Sequence, residues 1–227
     1  HNQTNLGSGG AAHVAIRAAT TEYILWQTVD WAYDISELKR FLWFTRRYDV
    51  VVGTRPIIWR FIAHIPFVGS LASLPYRSDD WLRGIVSLSN YYVIRILFGI
   101  PFRDFQNVHI YPRALVERVV VRARSSFLSP ELLFRCYLAG ATFIELPIQF
   151  FPREQGVPKG IRPRAIARSL RDIARGFWDF GFALRRQGGS KARGRIFRLM
   201  DAPLLGADDI RLAAPLFRYF RHPKQRN

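Results

Sequence analysis

The stretch Ser126–Lys159, SFLSPELLFRCYLAGATFIELPIQFFPREQGVPK, contains the clearest structural signals in the chain. Its first part, Pro130–Ala139, has the spacing of apolar residues that is typical of a helix, and Gly140 is expected to end that helix. The next segment, Thr142–Phe151, is rich in apolar and aromatic residues and predicts a strand, interrupted by Pro147. A helix followed directly by an apolar strand indicates an α/β fold.

The same alternation of strands and helices occurs near the start of the chain. Glu22–Val29 includes the apolar run YILW and predicts a buried strand. Asp34 is the expected N-cap of a helix over Ile35–Thr45, because its side chain can accept the free amide hydrogens there. Asp49–Gly53 (DVVVG) predicts the next strand. Strand, helix and strand in this order are typical of a parallel α/β sheet.

Four other segments have helical spacing of their apolar residues: Ala11–Ala19, Asp80–Phe98, Arg113–Arg122 and Arg164–Arg186. A Gly-rich turn is expected over Asn2–Gly10. Pro56–Asp80 is aromatic and irregular, so it is interpreted either as a long functional loop or as an interfacial helix. The Arg-rich residues from Gln187 onward are expected to be peripheral.

The composition of the chain indicates a basic, folded protein. Lys and Arg number 34 against 17 Asp and Glu, which gives a formal net charge of +17 at pH 7. This excess predicts anionic partners such as lipid headgroups, phosphates or nucleic acid. Hydrophobic residues make up 49% of the chain, enough for a packed core. The single cysteine, Cys136, allows no intrachain disulfide, and no apolar run is long enough to predict a transmembrane helix.

Three acidic residues occupy positions that suit ligand chemistry. Asp30 follows a predicted strand, where a carboxylate can hold Mg²⁺ or Mn²⁺ bridging a diphosphate. Asp104, in GIPFRDFQN after a Gly/Pro turn, can act as a general base or position an acceptor. Glu131 begins a helix, where the helix dipole alone would explain a carboxylate. Each residue therefore has a structural explanation beside the functional one, as a cap, a turn former or a dipole partner.

Basic residues provide candidate phosphate ligands. Arg153 and Lys159 flank a turn that contains Gly and Pro, and two cations there suit a diphosphate or a lipid phosphate. A solvated basic loop is the other interpretation. The basic helix Arg164–Arg186 has Phe177, Trp178 and Phe182 among its apolar residues, a pattern that suits the surface of an anionic membrane. Packing of this apolar face on the rest of the protein is the alternative.

Taken in order, these segments resemble the family 2 glycosyltransferases of GT-A fold, which include dolichol-phosphate mannose synthase and bacterial polyprenyl-phosphate glycosyltransferases. The matching blocks, in chain order, are NQTNLGSGGAAHVAIRAAT, YILWQTVDWAYDISEL at the place of a strand ending in Asp-x-Asp, VVVGTRP, WLRGIVSLSNYYVIRILFGIPFRDFQN and PELLFRCYLAGATFIELPIQFFPREQGVPKG. The resemblance extends over about Asn2–Asp172. The sequence differs from the family at Thr28-Val29-Asp30, where one carboxylate of Asp-x-Asp remains, at NVHIYPR after Asp104, and at Ser129.

The resemblance implies a GT-A-type, Rossmann-like fold: a mixed, mostly parallel sheet flanked by helices, with basic amphipathic helices at the C-terminal end. Residues 1–160 would form the catalytic domain, with its first strand upstream of residue 1, and residues 161–227 a basic C-terminal region at the membrane interface or packed on the domain. The implied reaction moves a sugar, with inversion, from a nucleotide-diphosphate sugar to a polyprenyl or dolichyl phosphate. The expected location is peripheral, on the cytoplasmic face of a membrane.

The resemblance also implies roles for individual residues. Asp104 and Glu131 would be catalytic, and Asp30 would bind a divalent metal, Mg²⁺ or Mn²⁺. The donor and phosphate ligands would be Asp30, Arg55, Arg83, Arg153 and Lys159. Two other functions stay open: a non-catalytic membrane-surface scaffold of transferase fold, and a basic nucleic-acid-binding protein. Nucleic acid is not the expected partner, because no RRM, KH or zinc-finger pattern is present in the sequence.

Overall fold

The computed structural model describes residues 6–27, 38–54, 81–105, 108–148, 163–186 and 194–198. The helices are α1 Gly7–Ala18, α2 Leu38–Phe44, α3 Trp81–Phe98, α4 Arg113–Arg118, α5 Leu128–Leu138, α6 Pro163–Gly176 and α7 Phe182–Arg186, with a π-helical turn at Phe177–Gly181 between the last two. The strands are β1 Tyr23–Trp26, β2 Val50–Thr54, β3 His109–Pro112, β4 Thr142–Pro147 and β5 Arg195–Arg198.

The strands form one five-stranded mixed sheet in the order β1-β3-β2-β4-β5. β3 is antiparallel to both of its neighbours, β1 and β2, whereas β4 is parallel to β2 and to β5. The α/β fold with flanking helices is therefore confirmed. A mostly parallel sheet is not confirmed, because two of the four strand pairings are antiparallel.

Three of the strands lie where the apolar runs predicted them; β1 and β4 are shorter than predicted, and β2 is shifted by one residue. The predicted strand over Glu22–Val29 is β1, the one over Asp49–Gly53 is β2, and the one over Thr142–Phe151 is β4. β4 ends at Pro147, a residue whose nitrogen cannot donate to a neighbouring strand. Thr28, Asp30 and Asp34 lie outside the described residues.

Two predictions about the ends of the chain are wrong. Gly7–Gly10, expected in a turn, form the beginning of α1. Glycine suits this position because a Cβ atom at Gly9 would lie 2.2 Å from the carbonyl oxygen of Arg124. Arg195–Arg198, expected to be peripheral, form β5 in the sheet, where Glu145 is the register partner of Arg198.

The sheet separates two apolar clusters. On one face, Val50, Val52 and Phe143 pack with α3, α5 and α6, and the Phe98 ring lies 5.0 Å from Phe134 and 5.3 Å from Phe180 between ring centroids. On the other face, the α2 residues Phe41 and Phe44 cover Val51, Ile110, Ile144 and Leu146. Alternate residues of each strand thus face opposite clusters, as the pleat of a β-sheet requires.

The C-terminal helices are amphipathic. Asp172, Ile173 and Gly176 of α6 are buried, and so are Phe180 and Leu184 farther along. The opposite side exposes Trp178 and Phe182 to 73% and 46%. Within the described ranges, no helix combines the length and the apolar character that a membrane crossing needs.

Candidate functional site

A row of five register-paired side chains crosses the sheet on the face covered by α3 and α5. This central row consists of Trp26, His109, Val52, Glu145 and Arg198, one from each strand. β1, β2, β4 and β5 all run in one direction, and the row includes the last residue of both β1 and β5. Open α/β sheets bind ligands beyond the carboxyl ends of their strands, so the central row lies toward the edge where a site is expected.

The loop that follows α3 lies over this face of the sheet. Gly99 ends the helix with a φ of 69°, a left-handed conformation that glycine adopts without strain. The next residues form the Asp104 loop, defined as Phe102–Phe105. Tyr91 of α3, Glu145 of β4 and Ser129 of α5 hold this loop from three directions.

The three bonds involve consecutive parts of the loop backbone. They are Tyr91 Oη donating to the Phe102 carbonyl (3.0 Å), the Arg103 amide donating to Glu145 Oε1 (2.7 Å), and Ser129 Oγ donating to the Phe105 carbonyl (2.8 Å). The donors and acceptors come from separate elements that are distant in sequence. The Asp104 loop is therefore fixed by the packed fold, which is the condition for a preorganised site.

Asp104 is 4% exposed and lies at the centre of this loop. Its Oδ1 accepts a hydrogen bond from the Phe105 amide at 2.9 Å. Asp104 is also close enough to His109 for its charge to act on the imidazole. The carboxylate that follows the Gly/Pro turn is thus buried and hydrogen-bonded to the backbone.

His109 is a buried imidazole in the central row. Its Nδ1 lies 3.2 Å from Tyr111 Oη and 3.4 Å from Ser129 Oγ, and its Nε2 has no hydrogen-bond partner among the described residues. Burial lowers the pKa of His109 from 6.5 to about 3, against the opposing effect of the Asp104 charge. His109 is therefore neutral near pH 7 and cannot act there as a permanent cation.

Glu145 is a buried carboxyl group in the same row. Arg198 Nε lies 3.5 Å from its Oε2, and the Arg103 amide donates to its Oε1. Burial raises the pKa of Glu145 from 4.5 to about 7, while the contacts with Arg103 and Arg198 act in the opposite direction. Its carboxyl group therefore changes protonation state close to neutral pH.

Glu131 lies in the first turn of α5 and is buried. Its Oε2 accepts from the amides of Arg122 and Ala123, at 3.2 and 2.7 Å, and its Oε1 accepts from Arg135 Nε at 2.7 Å. Both oxygens thus have protein donors, and these contacts explain the carboxylate structurally. The catalytic role expected of Glu131 stays a prediction.

Asp172 of α6 binds the loop before α5, next to the amides that Glu131 binds. Its Oδ2 accepts from the amides of Arg124 and Ser125, both at 3.0 Å. Ser169, one turn earlier on α6, places its Oγ 3.1 Å from that of Ser126. This connection, here called the α6 latch, joins the C-terminal helix to the loop before α5.

Most of the predicted donor and metal ligands cannot be placed. Asp30, Arg55, Arg153 and Lys159 lie outside the described residues. Arg83 belongs to α3, but the position of its side chain is not described. Across the described ranges, no three or more His, Cys, Asp or Glu residues come together in a way that could hold a metal ion.

Sequence reasoning missed His109 and Glu145, although both had a detectable signal. Glu145 is the one charged residue in the apolar strand TFIELP, and His109 begins the short apolar segment HIYP. Charged and titratable residues are seldom fully buried without a partner or a function. Their connection to the Asp104 loop depends on contacts between distant segments, which local sequence patterns do not encode.

No protein-family model matches this sequence, and no curated protein is significantly similar to it. The resemblance of the motifs and the geometry around Asp104 are therefore the basis for a proposed function.

Proposed function

We propose that this protein transfers a sugar from a nucleotide-diphosphate sugar to an acceptor, with inversion at the anomeric carbon, and that its fold is of the GT-A type. The observation that supports this function best is the Asp104 carboxylate, which is buried on a loop with three anchors. It lies on the face and toward the edge of an α/β sheet where ligand chemistry is common. A fixed carboxylate there suits the handling of an acceptor group.

The proposed reaction is a single displacement. An acceptor oxygen attacks the anomeric carbon and forms the new glycosidic bond, while the bond to the nucleoside diphosphate breaks and that diphosphate leaves with the electron pair. With a hydroxyl acceptor, Asp104 takes the proton as general base. With a phosphate acceptor the attacking oxygen is already anionic, and Asp104 orients it.

Basic residues would bind the phosphate groups. The motif resemblance assigns Arg55, Arg83, Arg153 and Lys159 to the donor diphosphate or the acceptor phosphate. Arginine suits this role because its planar guanidinium can donate two parallel hydrogen bonds to one phosphate. The chain has a formal net charge of +17. This charge supports two substrates that are both anionic, a nucleotide sugar and a polyprenyl or dolichyl phosphate.

Asp30 is the one residue that we propose as a ligand of a divalent metal, Mg²⁺ or Mn²⁺. The described residues provide no metal-binding cluster beside Asp104. A metal held by Asp30 would offset the negative charge that develops on the leaving diphosphate, and the transfer assay before and after chelation tests this dependence.

Asp104→Asn tests the proposal in the whole protein. Asparagine keeps an oxygen that can accept from the Phe105 amide but cannot take a proton, so the loop should stay folded. With a hydroxyl acceptor we expect kcat to fall by about 100-fold or more, the range of general-base catalysis. With a polyprenyl phosphate acceptor the loss should be smaller. The assay measures transfer from a panel of nucleotide sugars, with Mg²⁺ or Mn²⁺ and after chelation.

Glu117→Gln is the matched control, because the Glu117 side chain is 56% exposed and pairs with Arg113 on the same helix. It should leave transfer unchanged. Equal kcat values for Asp104→Asn and the wild type with both acceptor classes would overturn the role of Asp104. A wild-type protein that binds membranes but transfers no sugar would favour the scaffold function.

The C-terminal helices support a second part of the proposal, peripheral docking on an anionic membrane at its cytoplasmic face. Trp178 and Phe182 are exposed, and their ring centroids lie 5.5 Å apart. The exposed residues of α6 and α7 also include the arginines Arg164, Arg168, Arg171, Arg175, Arg185 and Arg186. Aromatic rings beside several arginines suit the boundary between lipid headgroups and acyl chains.

A further inference from the structure

We propose that Glu145 is a positioning residue, which sets the place of the Asp104 carboxylate by holding the backbone amide of Arg103. This inference rests on the proposed function of Asp104 as the residue that handles the acceptor. Glu145 itself is on β4 and is separated from the loop by 42 residues of sequence. It would act through the backbone, without touching the substrate.

The contact with Arg103 is well placed for this role. The Arg103 amide lies 2.7 Å from Glu145 Oε1, a short distance typical of a hydrogen bond to a charged acceptor. Arg103 immediately precedes Asp104, and the Phe105 amide on the other side donates to Asp104 Oδ1. The carboxylate thus depends on the backbone before and after it, and Glu145 fixes the part before it.

Stability alone explains Glu145 poorly. Its side chain is buried in an otherwise apolar strand, and its charged partner is Arg198 at 3.5 Å. The Arg198 side chain is 35% exposed, and an ion pair with a partly exposed partner seldom offsets the cost of burying a carboxylate. A buried carboxylate at this position is therefore better explained by the loop amide that it binds.

The position of the Asp104 carboxylate should affect the rate of the proposed reaction. A displacement of about 1 Å in a catalytic group can cost roughly 100-fold in rate. The anchors from Tyr91 and Ser129 hold carbonyl groups at the two ends of the Asp104 loop, whereas Glu145 holds the amide next to Asp104. Losing the Glu145 acceptor should therefore shift Asp104 while the ends of the loop stay attached.

The test compares two variants in an Arg198→Met background. This background removes the Arg198 charge from both variants, so they differ only in whether residue 145 has an oxygen that can accept a hydrogen bond. E145Q/R198M keeps a side-chain oxygen that can accept from the Arg103 amide, and E145M/R198M has a side chain of similar length with no such oxygen. The readouts are hydrogen exchange at the Arg103 amide and the separate values of kcat and KM for sugar transfer.

In E145M/R198M we expect Arg103 exchange to be about 5- to 10-fold faster than in E145Q/R198M, the effect of one lost hydrogen bond. We also expect kcat to fall by roughly 10-fold or more, with KM for the nucleotide sugar within about 2-fold. A purely structural role of Glu145 would change stability without this rescue of kcat by glutamine. Glu145→Asp, which keeps the charge but shortens the reach, should show the same loss and serves if the methionine variant does not fold.

Equal exchange at Arg103 in the two double variants, or an equal loss of kcat in both, would overturn the inference. So would faster exchange with an unchanged kcat, because the bond would then exist without positioning Asp104. These outcomes require a wild-type protein that transfers sugar. An inactive wild type overturns the proposed function first, and the catalytic role of Glu145 with it, so the two failures are distinguishable.

Discussion

At the scale of single residues, two buried groups in the central row should oppose each other in their effect on stability. The pKa of Glu145 is raised from 4.5 to about 7 by burial, so between these values the folded protein keeps a proton that the unfolded chain has lost. The free energy of unfolding then falls as pH rises. The pKa of His109 is lowered from 6.5 to about 3 by burial, so over that range the unfolded chain binds the extra proton. The free energy of unfolding then rises with pH.

Single variants should reveal these two opposite effects, which partly cancel between pH 4.5 and 6.5 in the wild type. The free energy of unfolding of Glu145→Gln, minus that of the wild type, should increase by about 3 kcal/mol from pH 4.5 to 7. The same difference for His109→Gln should decrease from pH 3 to 6.5. Urea unfolding at a series of pH values measures both. Differences that stay constant with pH would contradict the buried titrations.

At the scale of elements, the sequence predicted what local patterns determine and missed what distant pairing determines. Apolar runs located β1, β2 and β4, although β1 is an edge strand with half-buried and exposed residues and not the buried strand that was predicted. β3 and β5 were missed because a titratable or charged residue begins each segment, HIYP and RIFR, and their pairing partners lie far away in the chain. The candidate site divides in the same way: a turn signal found Asp104, whereas its anchors depend on packing between elements.

The α6 latch is an element-scale contact with a measurable cost. Asp172→Ala would remove the acceptor of the Arg124 and Ser125 amides, both part-buried. Loss of two hydrogen bonds to a charged acceptor should lower the free energy of unfolding by about 3 kcal/mol. Urea denaturation gives the value. Arg168→Ala, on an exposed position of α6, is the control and should change stability by less than about 0.5 kcal/mol. Equal effects of the two substitutions would argue against the latch.

At the scale of the whole molecule, the proposed membrane docking combines the net charge with exposed aromatic residues. The net charge of +17 is distributed over the chain, so it attracts anionic surfaces without choosing a face. In the proposed docking, the exposed side of α6 and α7 would select the face, because Trp178 and Phe182 are exposed on helices that also expose several arginines. The buried side of the same helices packs through Ile173, Phe180 and Leu184, so packing accounts for these residues, and membrane docking stays a proposal for the exposed side.

Vesicle binding tests the separate contributions of the net charge and of the exposed aromatic rings. The protein should sediment with vesicles of phosphatidylcholine and phosphatidylglycerol at low salt, and it should be released near 1 M salt, where the screening length is about 3 Å. Trp178→Ala/Phe182→Ala should weaken binding by roughly 10-fold or more, since each ring contributes about 1.5–3 kcal/mol when buried. Val120→Ala, at a position 64% exposed on another part of the chain, is the matched control and should bind like the wild type.

Equal sedimentation of both variants would mean that charge alone drives the association. Absence of the wild type from the pellet at low salt would reject membrane docking, because +17 of net charge would then produce no attraction to an anionic bilayer.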